Sequence, residues 1–75
     1  MTGTKFFIAS GITEGQEVRL ARTLAGKTQW EIAQKAGLPQ WAVSAVERAD
    51  RYVPPSWRRK IRAALGLDGV EASNA

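Results

Sequence analysis

The chain has 75 residues and a formal net charge of +4, which corresponds to one basic domain near the lower size limit for burying a stable core. It contains no cysteine and no histidine, which excludes disulfides, thiolate chemistry and the commonest zinc ligand and general base. Since no apolar run approaches the ~18 residues of a membrane span or the core of a signal peptide, we expect a cytoplasmic protein without cofactor, metal or membrane association.

Residues 1–12 are interpreted as an N-terminal arm. Within it, Lys5–Ser10 is a run of aromatic and branched residues that is typical of a short strand or an extended arm. A single strand needs a partner for its backbone groups, within the domain or on a second subunit. Phe6, Phe7 and Ile8 therefore either close one end of a helical core or contact another subunit.

A first helix is predicted from about Glu14 to Ala25, because Thr13 and Gln16 have the spacing of a capping box. Its core-facing stripe comprises Val18, Ala21 and Ala25. Leu20 and Leu24 form a second apolar stripe, which requires cover. We expect a dimer or partner surface that contains Phe6, Phe7, Ile8, Leu20 and Leu24.

The segment Thr28–Glu47 predicts a helix, a tight turn and a second helix. Thr28 and Glu31 again have the capping-box spacing. Gly37 suits the left-handed end of a helix, and Pro39 suits the first position of the next one. The apolar positions at helical spacing are Ile32, Ala33, Ala36, Leu38, Val43 and Val46.

The segment Arg48–Arg62 carries six basic residues against one acidic residue, Asp50. Such an excess favours a polyanionic partner, although it is also compatible with a solvated face. Pro54 and Pro55 lead into a last helix, predicted over about Ser56–Leu65. Its core-facing residues are expected to be Trp57, Ile61, Ala64 and Leu65. Residues 68–75 are interpreted as a flexible tail.

The segment from Thr28 to Glu47 resembles the helix-turn-helix of the lambda-repressor/Cro-like (XRE) family of DNA-binding proteins. The matching residues are Thr28, Gln29, Ile32, Ala33, Gly37, Gln40, Val43, Ser44, Val46 and Glu47. Weaker matches extend from about Val18 to Leu67. The resemblance implies an all-α, compact four- to five-helix lambda-repressor-like domain over residues 13–67, with a possible short N-terminal strand or arm.

In this family the second helix of the motif enters the major groove, here the helix Pro39–Glu47. The base-contacting residues are then expected to be Pro39, Gln40, Trp41, Ser44 and Ala45. Gln40 can bond adenine at two atoms, and the methyl group of Ala45 can touch a thymine methyl. Trp41 is bulky for this place, and it either contacts DNA or belongs to a protein interface.

The expected phosphate contacts are Gln29, Arg48, Arg51, Tyr52, Arg58 and Arg59. Basic side chains early in the last helix oppose its dipole, an arrangement that a bound phosphate would relieve. Alternatively, these long side chains simply point away. The resemblance also implies a partly buried ion pair between Arg22 and Glu47; otherwise the two charges stay exposed and apart.

The chain is therefore expected to be a sequence-specific, double-stranded-DNA-binding transcription regulator that binds an inverted repeat as a homodimer. Small proteins of this family are often repressors or control proteins of phages and mobile elements. The alternative is a protein-interaction module, such as an antitoxin or anti-activator, that uses its exposed tryptophan and leucine residues. An enzyme is the least favoured class, because the carboxylates show no paired arrangement and no nucleophile–base pair occurs.

Overall fold

The computed structural model describes residues 12–67, and these form four helices with no strand among them. In chain order they are α1 (Glu14–Leu24), α2 (Gln29–Ala36), α3 (Gln40–Arg48) and α4 (Pro55–Ala64). The predicted all-α class is confirmed, and the predicted helix bounds differ by about one residue. The expectations for residues 1–11, which include Phe6, Phe7 and Ile8, and for the tail 68–75 lie outside the described residues.

Both predicted capping boxes are present. At the start of α1, the backbone N–H of Gln16 donates to Thr13 Oγ1 over 3.2 Å, and the backbone N–H of Thr13 donates to Gln16 Oε1 over 2.9 Å. At the start of α2, the Glu31 N–H donates to Thr28 Oγ1 over 3.0 Å and the Thr28 N–H donates to Glu31 Oε1 over 2.8 Å. These bonds satisfy amide groups that a helix N-terminus otherwise leaves without an acceptor.

The turn between α2 and α3 is short and closed by backbone hydrogen bonds. Gly37 has a φ of 73°, a left-handed value that a glycine adopts without strain. The Leu38 N–H then donates to Ala33 O over 2.9 Å, and the Leu38 side chain packs against the core. Pro39 is not the first residue of α3, as the sequence suggested, but its N-cap, because its ψ of 150° is extended.

The core lies around α3, which packs against each of the other three helices. The buried apolar residues are Val18, Ile32, Ala33, Ala42, Val43, Ala45, Val46, Val53 and Ile61. Four predicted core residues of the last helix line the same cluster, with Ile61 buried and the others partly so: Trp57, Ile61, Ala64 and Leu65. No helix in the described part of the chain is long and apolar enough to cross a membrane.

Gly15 lets the start of α1 approach the end of α3. A Cβ at this position would lie 2.4 Å from the Val46 carbonyl oxygen and 2.7 Å from that of Glu47. Both distances are shorter than van der Waals contact, so any larger residue would push the helices apart. The close approach fixes α3 against α1 at the end opposite to Gln40.

Candidate nucleic-acid interface

α3 has a buried face and an outward face. Ala42, Val43 and Val46 are buried against the other helices. Gln40 and Trp41 at the start of the helix are exposed, and Ser44 is half-buried beside them. Helical periodicity thus separates the residues that hold α3 in place from those that it presents to solvent.

The expected base-contacting residues divide into two groups. Pro39, Gln40, Trp41 and Ser44 lie at the surface around the first turns of α3. Ala45 does not: it is 4% exposed and belongs to the same buried cluster as Val53, so its expected contact with a thymine methyl is wrong.

Trp41 joins the outward face of α3 to α4. Its ring lies 5.8 Å from that of Trp57, centroid to centroid, at an interplanar angle of 48°. The Cζ atom of Arg51 lies 5.2 Å from the centroid of the Trp41 ring, within the range of a cation–π contact. Trp57 in turn packs against the core. Trp41 is thus held between a partly buried ring and an exposed guanidinium group.

A shallow depression of about 290 Å³ follows this outward face. Its lining residues are Trp41, Ser44, Ala45, Arg48, Asp50 and Arg51. Arg51 comes after α3 in the sequence, yet its side chain reaches back to the first turn of the helix. Polar and cationic groups therefore lie along the side of α3 that the core leaves open.

Behind α3, the expected ion pair is confirmed. Arg22 Nε donates to Glu47 Oε2 over 2.6 Å and Arg22 Nη2 donates to Oε1 over 3.0 Å, a bidentate arrangement. The Glu47 side chain is only 4% exposed, and its carboxylate raises the pKa of the Arg22 guanidinium above the ordinary range. Arg22 also donates to the Lys27 carbonyl oxygen over 2.9 Å. The pair ties α1 to the end of α3.

Gln29 belongs to the same cluster. Its side-chain nitrogen donates to Glu47 Oε1 over 3.1 Å, and the residue is half-buried. The Gln29 amide is therefore directed to the carboxylate behind α3, a role that the sequence did not indicate. Its expected contact with a phosphate would have to use the second amide hydrogen or the backbone N–H groups at the start of α2.

Two of the six basic residues in Arg48–Arg62 serve the fold. Arg62 Nη1 donates to Glu17 over 2.9 Å. Arg58 donates to the Val53 carbonyl oxygen over 2.9 Å and lies 3.4 Å from Glu14. The contacts with Glu14 and Glu17 link α4 to α1, and the bond to Val53 links α4 to the loop before it. Arg58 therefore has an intramolecular role in place of the free phosphate-binding group that the sequence suggested.

The other expected phosphate-binding residues lie at the surface. Arg48 is exposed and 3.7 Å from Asp50, a distance and exposure that make this pair weak. Tyr52 and Arg59 are also exposed, and Arg59 makes no ion pair among the described residues. These side chains can reach an anion without first breaking a buried bond.

The charges of residues 12–67 are unevenly compensated. Each carboxylate in this range has a partner: Glu14, Glu17, Glu47 and Asp50 lie against arginines, and Glu31 accepts the capping bond. The cations that make no ion pair within the described residues are Arg19, Lys27, Lys35, Arg51, Arg59 and Lys60. The uncompensated surface charge of this part of the chain is therefore positive.

The expected dimer or partner surface is exposed where it is described. Leu20 and Leu24 of α1 are 52% and 79% exposed, and Trp30 of α2 is 56% exposed. Within the described residues, about half of Leu20 and most of Leu24 therefore stays open to solvent. Among the same residues, no cluster of His, Cys, Asp or Glu could hold a metal ion.

These features define a small all-α domain in which two consecutive helices, joined by a three-residue turn, present a polar and cationic face. Comparisons with protein-family models, with curated proteins and with solved structures found no match to this chain.

Proposed function

We propose that the chain is a sequence-specific double-stranded-DNA-binding regulator of the lambda-repressor/Cro-like type, with α3 as the recognition helix. The observation that carries this proposal is the division of α3. Its buried face is held by three helices, and its outward face presents Gln40, Trp41 and Ser44 beside Arg48 and Arg51. A major groove admits one helix, and the N-terminal residues of a recognition helix reach the base edges.

The electrostatics support the same partner. The carboxylates of residues 12–67 are occupied within the fold, whereas six cations lack an ionic partner there. Arg48, Tyr52 and Arg59 would contact phosphates on either side of the groove, and Gln40 would read an adenine. In this proposal the protein acts in the cytoplasm, binds an inverted repeat as a homodimer and represses transcription from a phage or mobile element.

The proposal is tested by selecting duplexes from a random pool at two salt concentrations and sequencing the retained fraction. We expect an inverted repeat, and we expect Gln40→Ala to lower discrimination at one base pair of each half-site about 10-fold, since a bidentate pair is lost. Gln34→Ala is the matched control, because Gln34 is also an exposed helical glutamine but lies on α2. Circular dichroism of each variant confirms that the fold is intact.

Weak binding that is uniform across sequences and lost at moderate salt would contradict the proposal, because only a phosphate interaction would then remain. A second candidate function, as a protein-interaction module such as an antitoxin or anti-activator, would then take precedence. It is favoured by the exposure of Leu20, Leu24 and Trp30, since large exposed apolar groups mark interaction surfaces. Co-purification of a defined partner that Leu24→Glu abolishes would support it.

A further inference from the structure

We propose that Arg51 reads a guanine base, and that Trp41 positions it for this contact. This inference rests on the proposed DNA-binding function and goes beyond it by naming a base and the residue that selects it. It also revises the expectation that Arg51 contacts a phosphate and that Trp41 touches a base. The two residues act as one unit on the outward face of α3.

The first reason is the support beneath Arg51. Its guanidinium group lies 5.2 Å from the centroid of the Trp41 ring, and that ring lies 5.8 Å from the ring of Trp57. Trp57 packs against the buried core. A chain of contacts thus runs from the core to an exposed arginine, whose guanidinium has fewer positions available than that of a free surface arginine.

The second reason is that this guanidinium keeps its donors free. Arg51 is exposed and makes no hydrogen bond or ion pair within residues 12–67. Asp50 lies in the same depression, but its one ion pair within the described residues, a weak one, is with Arg48 and not with Arg51. A guanidinium that contacts a ring through its face can still direct N–H groups outward along its edge. Because the side chain is already held in place, binding would cost less conformational entropy.

The third reason is position. Although Arg51 follows α3 in the sequence, it lines the depression that runs along Trp41, Ser44 and Arg48. In the proposed complex this is the side of α3 that faces the bases, whereas phosphates lie at its margins. A fork of two parallel N–H donors matches O6 and N7 of guanine, the commonest specific arginine contact in the major groove. A phosphate contact would require the charge but not the fixed fork.

The test compares Arg51→Lys with Arg48→Lys, after selection with the unaltered protein has defined the preferred duplex. We expect a guanine in each half-site at which Arg51→Lys lowers discrimination against the other bases about 10-fold or more. Arg48→Lys keeps that discrimination and affects all duplexes alike, because Arg48 is proposed to contact a phosphate and not a base. Replacing the same guanine by 7-deazaguanine, which lacks the N7 acceptor, should weaken the unaltered protein but affect Arg51→Lys little.

Trp41→Leu tests the positioning role, with thermal unfolding as the check that the domain still folds. Loss of the same guanine preference in Trp41→Leu, and its retention in Trp41→Phe, would support the inference. If the unaltered protein selects a sequence but Arg51→Lys weakens all duplexes equally, or has no effect, the inference is wrong and the proposed function stands. If the unaltered protein selects no sequence, both fail.

Discussion

α2 and α3 are consecutive helices joined by a three-residue turn, yet they are stabilised by different means. α2 begins with the reciprocal bonds of Thr28 and Glu31 and ends at Gly37. α3 begins after Pro39 with no side-chain cap and ends at Ala49, which has a left-handed φ of 57°. Local bonds therefore define α2, whereas α3 depends on the residues packed behind it.

The difference shows how a small domain can leave one helix open to a partner. The inner face of α3 is fixed by the core, by the close approach at Gly15 and by the Arg22–Glu47 pair. The N–H groups of its first turn, which no side chain caps, stay open to water or to a partner. Four substitutions test this difference between the two helices.

The largest effect is expected from Gly15→Ala, which would break the contact between α1 and the end of α3. The added methyl group would overlap the Val46 and Glu47 carbonyl oxygens, so the two helices must separate. We expect a loss of about 3 kcal/mol or more in the free energy of unfolding, measured by urea denaturation. Gly26→Ala is the matched control, because its φ of +71° is strained for alanine but its Cβ would meet no atom within 4 Å. Equal losses in the two variants would contradict the overlap.

The next effect is expected from removing Glu47, which would leave Arg22 without its carboxylate behind α3. Glu47→Ala should lower the free energy of unfolding by about 3 kcal/mol, since an uncompensated, largely buried charge remains. The double variant Arg22→Met, Glu47→Leu should recover most of this loss, because no charge is then buried. Urea denaturation of Arg22→Met, of Glu47→Leu and of the double variant measures the coupling. A double variant as unstable as the sum of the two single variants would show that the residues act independently.

Ala49→Gly should end α3 with a glycine in the left-handed conformation, as Gly37 already ends α2. Ala49 is exposed, so its methyl group contributes little packing, and its left-handed conformation costs an alanine about 1–2 kcal/mol. Glycine relieves that strain but loses more chain entropy on folding. We expect the free energy of unfolding, measured by thermal unfolding, to rise by about 1 kcal/mol. The opposite type of substitution at the end of α2, Gly37→Ala, should lower it by a similar amount. A destabilised Ala49→Gly variant would refute the strain at this position.

The smallest effect concerns the start of α2. The hydrogen bond from the Thr28 backbone N–H lowers the pKa of the Glu31 carboxyl below its ordinary value of 4.5, and the nearby Lys27 charge contributes. A carboxyl whose pKa is lower in the folded state stabilises that state fully above the unfolded-state pKa. This contribution disappears as the pH falls from there through the folded-state pKa. Glu31→Gln should therefore lose less stability over this interval than the unaltered protein.

The NMR chemical shift of the Glu31 carboxyl carbon, followed as a function of pH, measures this pKa directly. A value at or above the ordinary one would contradict the capping bond. The same titration of Thr28→Ala serves as the comparison. This variant keeps the backbone N–H that donates to Glu31 Oε1 and removes only the hydroxyl that accepts from the Glu31 N–H.

Much of the fold could be predicted from short-range patterns, because capping boxes and glycine-ended turns are bonds between residues close in sequence. Thr13, Thr28 and Gly37 are examples. The predicted start of α3 was wrong by one residue. The φ of Pro39 suits both the N-cap and the first helical position, and only its ψ distinguishes the two. The Arg22–Glu47 pair came from the family resemblance, and no local pattern could have placed the two residues together.

The candidate interface was only partly predictable. Gln40 and Ser44 lie at the surface as expected, whereas Ala45 is 4% exposed and belongs to the same buried cluster as Val53, a loop residue. Arg58 and Arg59 are adjacent in sequence, but only Arg58 meets a carboxylate within the described residues, since it lies opposite Glu14. Which basic residues stay available therefore depends on where α1 lies relative to α4.

The amino-acid pattern alone was enough to predict the number and approximate bounds of the described helices, most of their core-facing positions and both capping boxes. These follow from helical periodicity and from hydrogen bonds that span about three residues. The packing of the helices was needed to establish that Gly15 meets the α3 carbonyl groups, that Gln29 donates to Glu47 and that Arg51 lies against the Trp41 ring. Each of these contacts joins residues distant in sequence, and its geometry exists only once the helices have packed.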